Sequence, residues 1–291
     1  MFSKPQHIEE NVLLAPYTYF RIGGPAKYFA HITNEHDLRS AIIFARDNHL
    51  RFVVLSGGSN VLVSDEGYDG VVLHMESRDV RIADNMLSAD AGVAMATLVR
   101  EATERALTGI EWAIGIPGMV GGSVRGNAGC FGGEIKDVLT QVRVFDTKTL
   151  EYKEFSREAC AFDYRESVFK YHPEYIIVSA TFQLSRGDKN TITETVRAYT
   201  RTRVTKQDIG ERCAGCMFKN PANAFAGKLI EDAGLKGFSI GGAKVSMKHA
   251  NFVVNEGSAS ARDVCAVVAH IQEKVKKDFG ITLETEIQNI F

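Results

Sequence analysis

The sequence is short of several things that would fix a function class at once. Its 34 Lys and Arg are balanced by 36 Asp and Glu, for a formal net charge of -2. No global basic field exists to draw in nucleic acid or an anionic membrane surface, so an anionic ligand must be held by local groups. No apolar run approaches the ~18 residues of a membrane span, so membrane insertion is not expected. Met1 to Glu10 is polar and lacks the apolar stretch of a secretory signal. The five cysteines, at 130, 160, 213, 216 and 265, are odd in number and scattered. That fits a reducing cytoplasm better than a disulfide framework. The eight histidines show no metal-ligand spacing, so no metal site is expected. Repeats and low-complexity tracts are absent, and there are only 6 prolines against 26 glycines.

A chain of 291 residues holds two domains or three small ones. Apolar spacing at Leu38, Ile42 and Ala45 predicts a helix over 35–50. Phe52 to Leu55 is a short apolar run ending in glycines, which reads as a buried strand, and Gly70 to Leu73 reads as another. A second lobe starts near Val80. It holds a helix over 94–107, a hairpin over 141–155 turning at Asp146-Thr147-Lys148, and a strand over 175–184. The polar break Ser185 to Lys189 is the best boundary. Beyond it come helices over 191–204, near 224–234 and over 258–278, with a strand at Asn251 to Asn255. The alternation of strands and helices gives an α+β or mixed α/β class, in lobes 1–78, 79–187 and 188–291.

Four segments carry chemistry. Val53 to Leu62 runs a strand into Ser56-Gly57-Gly58-Ser59-Asn60. Glycines admit backbone N–H groups to a phosphate, and the hydroxyl and amide side chains add neutral donors. No P-loop lysine follows and no G-x-G-x-x-G is present, so phosphate binding and an ordinary tight turn both stay open. Gly115 to Gly129 packs six glycines into 15 residues. It is expected to pack no side-chain core and to lie against a large flat or extended ligand. In Phe162 to Lys170 an arginine sits among aromatics and carboxylates, which fits a positioned guanidinium or a surface ion-pair cluster. Cys213-x-x-Cys216 suggests a redox pair or half a zinc site. A second ligand pair is missing, and Asn220-Pro221 argues against the long helix of a thioredoxin motif.

Together these segments resemble the UDP-N-acetylenolpyruvoylglucosamine reductase family. The resemblance rests on Tyr17 to Ala26, Gly57 to Asn60, Gly115 onward, Tyr164-Arg165-Glu166-Ser167, Phe218-Lys219-Asn220-Pro221, Ala226 to Glu231, and Leu235 through Gly242. It covers nearly the whole chain in order. It implies a two-subdomain FAD-binding domain of the vanillyl-alcohol-oxidase type, followed by a C-terminal α+β substrate domain. Ser56, Gly57, Gly58, Ser59 and Asn60 would hold the FAD pyrophosphate. Gly118, Gly122, Ser123 and Asn127 would line the rest of the cofactor. Arg165 matches the guanidinium near the enolpyruvyl carboxylate, and Glu286 matches a late glutamate. The proton donor, a serine in most of the family, is Cys216 here. Lys219, Asn220 and Lys236 match positions that hold the UDP-sugar, and His249 lies near a polar one. The span from Asp188 to Gly215 leaves no room for an extra tyrosine-bearing loop, which assigns the shorter branch.

The implied chemistry is ping-pong. Hydride passes from NADPH to flavin N5 and then to C3 of the enol ether, giving UDP-N-acetylmuramate for peptidoglycan synthesis in the cytoplasm. FAD is expected to be non-covalent, because no histidine lies in 56–60 or 115–129, although Cys130 ends the second segment. No nucleic-acid partner and no obligate protein partner are implied. Two rivals stand beside this reading: another flavin oxidoreductase on the same fold, such as a hydroxy-acid or alcohol oxidase, and a non-catalytic flavin- or nucleotide-binding module.

Overall fold

The computed structural model describes residues 4–206 and 210–291; Met1 to Ser3, part of the polar N-terminal stretch, lie outside the described residues. The chain divides into two compact units. The first comprises residues 1–8, 30–57 and 72–203, and the second 9–29, 58–71 and 204–291. Reading along a sequence cuts at polar breaks and returns contiguous lobes. Spatial grouping instead places two early stretches with the C-terminal third.

The first unit is built on a five-stranded sheet in the order Glu151–Ser156, Leu139–Asp146, Tyr175–Gln183, Met86–Asp90, Val80–Ala83. Every pairing is antiparallel, with Phe145 opposite Tyr152 and Ile176, and Phe182 opposite Leu87. The hairpin turns where expected. Asp146 accepts from the amides of Lys148 and Thr149, the side-chain-to-backbone bonding that favours Asp in turns. The helix Glu35–Asp47 starts at Asn34, whose side chain accepts from the Asp37 amide, and it buries Leu38, Ala41, Ile42 and Ala45. The helix Met95–Glu104 buries Met95, Leu98, Val99 and Ala102, so helical periodicity located both.

The glycine-rich segment departs from expectation. It was expected to pack no side chains, yet Val120–Arg125 is a short helix with Val120 and Val124 fully buried. It packs on the central strand Tyr175–Gln183. The glycines serve that packing: a Cβ at Gly121 would stand 2.9 Å from the Cβ of Ala91.

The second unit has a three-stranded antiparallel sheet, Ser239–Ile240, Ala243–Val245 and Val253–Asn255. The helix Ala261–Phe279 covers it with Val264, Val267 and Ile271. Ser260 and Asp263 form a reciprocal capping box at its start, and Gly280 closes it at φ 72°. The strand Gln288–Ile290 pairs in parallel with Val61–Val63. A further four-stranded sheet runs in the order Ile8–Leu13, Pro25–Ile32, Tyr68–Met75, Phe52–Leu55. Among the described residues no helix is long and apolar enough to cross a membrane.

Candidate active site

In the first unit the strand Phe52–Leu55 leads to Ser56 and Gly57. A Cβ on Gly57 would stand 3.2 Å from Met119. The Gly118 carbonyl accepts from the Met95 amide, and the Val120 and Gly121 amides donate to Val93 and Ala91. These bonds fix the entry to the short helix. Ser123, on its inner face, is 3% exposed, and its Oγ is the one buried side-chain polar atom without a partner among the described residues. At Gly122 a Cβ would meet nothing within 4 Å. Burying a hydroxyl unpaired costs about 1–3 kcal/mol, so Ser123 fits an expected flavin contact, whereas Gly122 is exposed.

Arg165 stands on a tight turn. The Asp163 and Glu166 backbones exchange two hydrogen bonds, leaving Tyr164 and Arg165 at the tip. Arg165 has φ 58°, a left-handed conformation that costs a non-glycine residue about 1–3 kcal/mol and recurs at functional sites. Lys170 holds the turn by donating to the Arg165 carbonyl and, at 3.3 Å, to Glu166. The guanidinium donates to the Gly129 carbonyl at 3.2 Å and lies 5.1 Å from the Tyr164 ring centre.

Asn127 is fully buried, with φ 40°. Its amide donates to Glu134 and to the Asp163 carbonyl, both at 3.0 Å, and its oxygen accepts from the Lys136 amide at 3.1 Å. Those bonds occupy both of its N–H groups. Its side chain thus ties down the base of the Arg165 turn. Ser167 adds a second tie, donating to the Arg125 carbonyl at 2.6 Å. Burial pulls the Arg125 guanidinium below its usual range, with Glu166 acting in the opposite sense.

The second unit holds the remaining positions. Gly58, at φ 62°, has no room for a Cβ, which would stand 2.0 Å from the Tyr17 carbonyl. The Tyr19 amide donates to the Gly58 carbonyl. Two residues on, Asn60 donates to the Glu286 carbonyl at 3.3 Å and accepts from the Gln288 amide at 3.0 Å. Cys216 follows Gly215, which is at φ 75°, and bridges antiparallel to Phe252. Met217 donates to the Asn251 carbonyl and accepts from the Glu286 amide, each at 2.8 Å. Cys216 and Glu286, far apart in sequence, therefore sit on hydrogen-bonded neighbouring backbone.

Sequence reasoning took 251–255 only as a strand and missed its asparagines. Asn251 is buried and clamps Phe218 from both sides, accepting from its amide at 3.0 Å and donating to its carbonyl at 2.8 Å. Asn255 donates to the Phe20 carbonyl at 2.8 Å. Amides bracketing an apolar strand were the available signal.

The Lys219 side chain is 13% exposed and pairs with Glu284 at 2.5 Å; Lys236 pairs with Glu231 at 2.9 Å. Asn220 accepts from the Ala226 amide, at the start of the helix Ala226–Asp232. His249 accepts the Asn251 amide on Nδ1 at 3.3 Å, a structural use of the ring. All five cysteines are free thiols. Burial pushes the Cys160 thiol up to about 12 and raises Cys265 too, which makes both poor nucleophiles. Cys130 accepts from the Arg203 guanidinium at 3.7 Å.

Residues 26–149 match a FAD-binding domain family, and 207–290 match the C-terminal domain of UDP-N-acetylenolpyruvoylglucosamine reductase. The reductase of Clostridium perfringens is 37% identical over 290 residues, covering 99% of this chain and 95% of the relative. That of Caldicellulosiruptor bescii is 41% identical over 280 residues, covering 95% and 88%. The crystal structure of the Thermus caldophilus reductase superposes with a TM-score of 0.82 at 34% identity, covering 97% of this chain and 98% of that one. These likenesses run across both units and nearly end to end: the chain belongs to the UDP-N-acetylenolpyruvoylglucosamine reductase family.

Proposed function

We propose that this chain reduces UDP-N-acetylenolpyruvoylglucosamine to UDP-N-acetylmuramate at the expense of NADPH, with Cys216 as proton donor, in cytoplasmic peptidoglycan precursor synthesis. The observation that carries the reading is the adjacency of the Cys216 and Glu286 backbones in a member of this family. Ser56 to Asn60 together with Gly118, Gly122 and Ser123 would hold non-covalent FAD, which would supply the hydride drawn from NADPH; Asn127, its side chain spent on Glu134, Asp163 and Lys136, would brace that segment.

The chain's own residues supply the rest. As hydride reaches C3, negative charge builds on the substrate carboxylate. Arg165 meets it with a fixed guanidinium whose turn is already held in place, so little reorganisation is needed during reaction. Glu286 polarises the same group. The Cys216 thiol gives its proton to C2, and the thiolate left behind regains one from solvent. A thiol, with an ordinary pKa of ~8.5, is a stronger acid than the alcohol it replaces. Lys219, Asn220 and Lys236 hold the UDP-sugar, the lysines as charges for the diphosphate. Of the three lobes, 1–78 and 79–187 serve the cofactor and 188–291 the substrate.

The test is NADPH oxidation by the purified yellow protein with and without the enolpyruvyl substrate. Oxidation that depends on substrate and yields the lactyl ether supports the proposal. Oxidation that proceeds equally without substrate would favour a flavin oxidase. Acid precipitation probes the same rival: colour left on the pellet would point to Cys130 or a histidine as a covalent anchor.

A further inference from the structure

The first unit brings together two histidines that no sequence spacing connects. His31 lies on the strand Pro25–Ile32 and His74 on the neighbouring strand Tyr68–Met75. Nδ1 of each lies 2.6 Å from the same oxygen, Oε1 of Glu76. The ligand atoms of the three lie within 4.8 Å of one another, and all three residues are half-buried. Among the described residues this is the one group of three His, Cys, Asp or Glu side chains so gathered.

We propose that His31, His74 and Glu76 form a binding site for a late first-row divalent cation, represented by Zn(II). Two imidazoles and one carboxylate suit Zn(II), Co(II) and Ni(II) and are a poor set for Mg(II) or Ca(II), which want all-oxygen shells. The count matches three-ligand zinc sites in which water completes the shell. Tetrahedral ligand distances of about 2.0–2.2 Å require ligand atoms roughly 3.3–3.6 Å apart, and the observed spacing, from 2.6 Å up to at most 4.8 Å, brackets that range. Side-chain rotation of about an ångström therefore suffices, with no backbone movement.

The backbone beneath is fixed. The Glu76 and Ser77 amides both donate to the Ile32 carbonyl, at 2.8 and 3.2 Å, so Glu76 is pinned beside the residue that follows His31. Without a cation both Nδ1 atoms hydrogen-bond to Oε1 of Glu76, so a bound cation takes the place of those hydrogens and releases them to solvent. None of the three is among the residues assigned to flavin, proton transfer or sugar nucleotide. The bound cation would act as a clip between two strands.

The test uses the flavin-loaded full chain in a non-coordinating buffer. Equilibrium dialysis against Zn(II), with metal analysis, should find one more equivalent on the wild type than on His74→Ala or Glu76→Gln. Zinc held by cysteines would survive in all three and cancels in the comparison. Loss of an outer-shell partner typically weakens a metal site ~10–100-fold, so removing a ligand should weaken this one by at least that. At about a hundredfold excess over Kd, Zn(II) should raise the wild-type Tm by several degrees and leave both variants unmoved. Should His74→Ala fold poorly, Co(II) added to the wild type should shift or broaden the ring resonances of His31 and His74 ahead of the other six. Equal stoichiometry in wild type and variants, or Co(II) effects spread over all eight histidines, would overturn the site and leave a hydrogen-bonded triad.

Discussion

Asn127→Asp offers the sharpest test of how Arg165 is held. The substitution keeps size and shape, and Asp tolerates a left-handed backbone about as well as Asn, so the φ of 40° adds little strain. The side-chain oxygen can still accept from the Lys136 amide. Both donors vanish, and with them the bonds to Glu134 and the Asp163 carbonyl. The neutral bond is worth ~1 kcal/mol and the one to a carboxylate ~1.5–3 kcal/mol. A new carboxylate beside Glu134 adds repulsion, which the Lys136–Glu134 ion pair at 2.7 Å offsets in part. The loss should be about 3 kcal/mol. For a chain of this size that lowers Tm by roughly 6–12 °C, readable by circular dichroism. Because Asp163 abuts the turn tip, kcat should fall about tenfold while flavin reduction by NADPH stays near normal. A Tm within 2 °C of wild type together with normal turnover would refute the assignment of Asn127 as the brace of this turn.

Cys216→Ala should be reduced by NADPH at a near-normal rate and then reoxidise about 10²–10⁴-fold more slowly with enolpyruvyl substrate under anaerobic conditions. Cys216→Ser should recover much of that step, and normal reoxidation of the Ala variant in stopped flow would remove the thiol from proton delivery. Arg165→Lys should keep FAD and lose on the order of 10²–10³ in turnover, because lysine lacks the planar fork that grips a carboxylate; activity within a few-fold of wild type would remove Arg165 from the reaction. Burial acts to raise the Asp146 pKa, but hydrogen bonds from Lys153 and the Lys148 and Thr149 amides outweigh it and hold the carboxyl low. Its stabilisation is therefore present above the unfolded value near ~3.9 and is lost as pH falls through the lower folded one. Asp146→Asn should lower Tm at neutral pH, with the gap closing in acid; a gap that does not change with pH would mean the charge contributes nothing.

What could be read from the sequence was what repeats locally. Leu38, Ile42 and Ala45 at helical spacing located the helix Glu35–Asp47, and Asp146-Thr147-Lys148 located the hairpin turn. The Val120–Arg125 helix was hidden because its glycines, read as ligand-facing backbone, are there to let the helix approach Ala91. Resemblance supplied Arg165, Cys216 and Glu286 as separate positions. Their braces were not legible: Asn127 reaches Asp163, and Asn251 reaches Phe218, through contacts that no window of a few residues contains. The grouping of His31 with His74 is hidden for the same reason, since only the pairing of their two strands joins them.

The parallel pairing of Gln288–Ile290 with Val61–Val63 has a consequence for how the protein is made. On the ribosome the early strand emerges on the order of 200 residues before its partner. At ~5–20 residues per second, Val61 to Val63 waits about 10–45 s for its sheet partner. An exposed strand edge invites pairing with the wrong chain. The Asn60 carbonyl, at the end of the glycine turn, gains its bond from the Gln288 amide only when that late strand docks. The second unit is therefore completed only after residues 288–290 have emerged and docked.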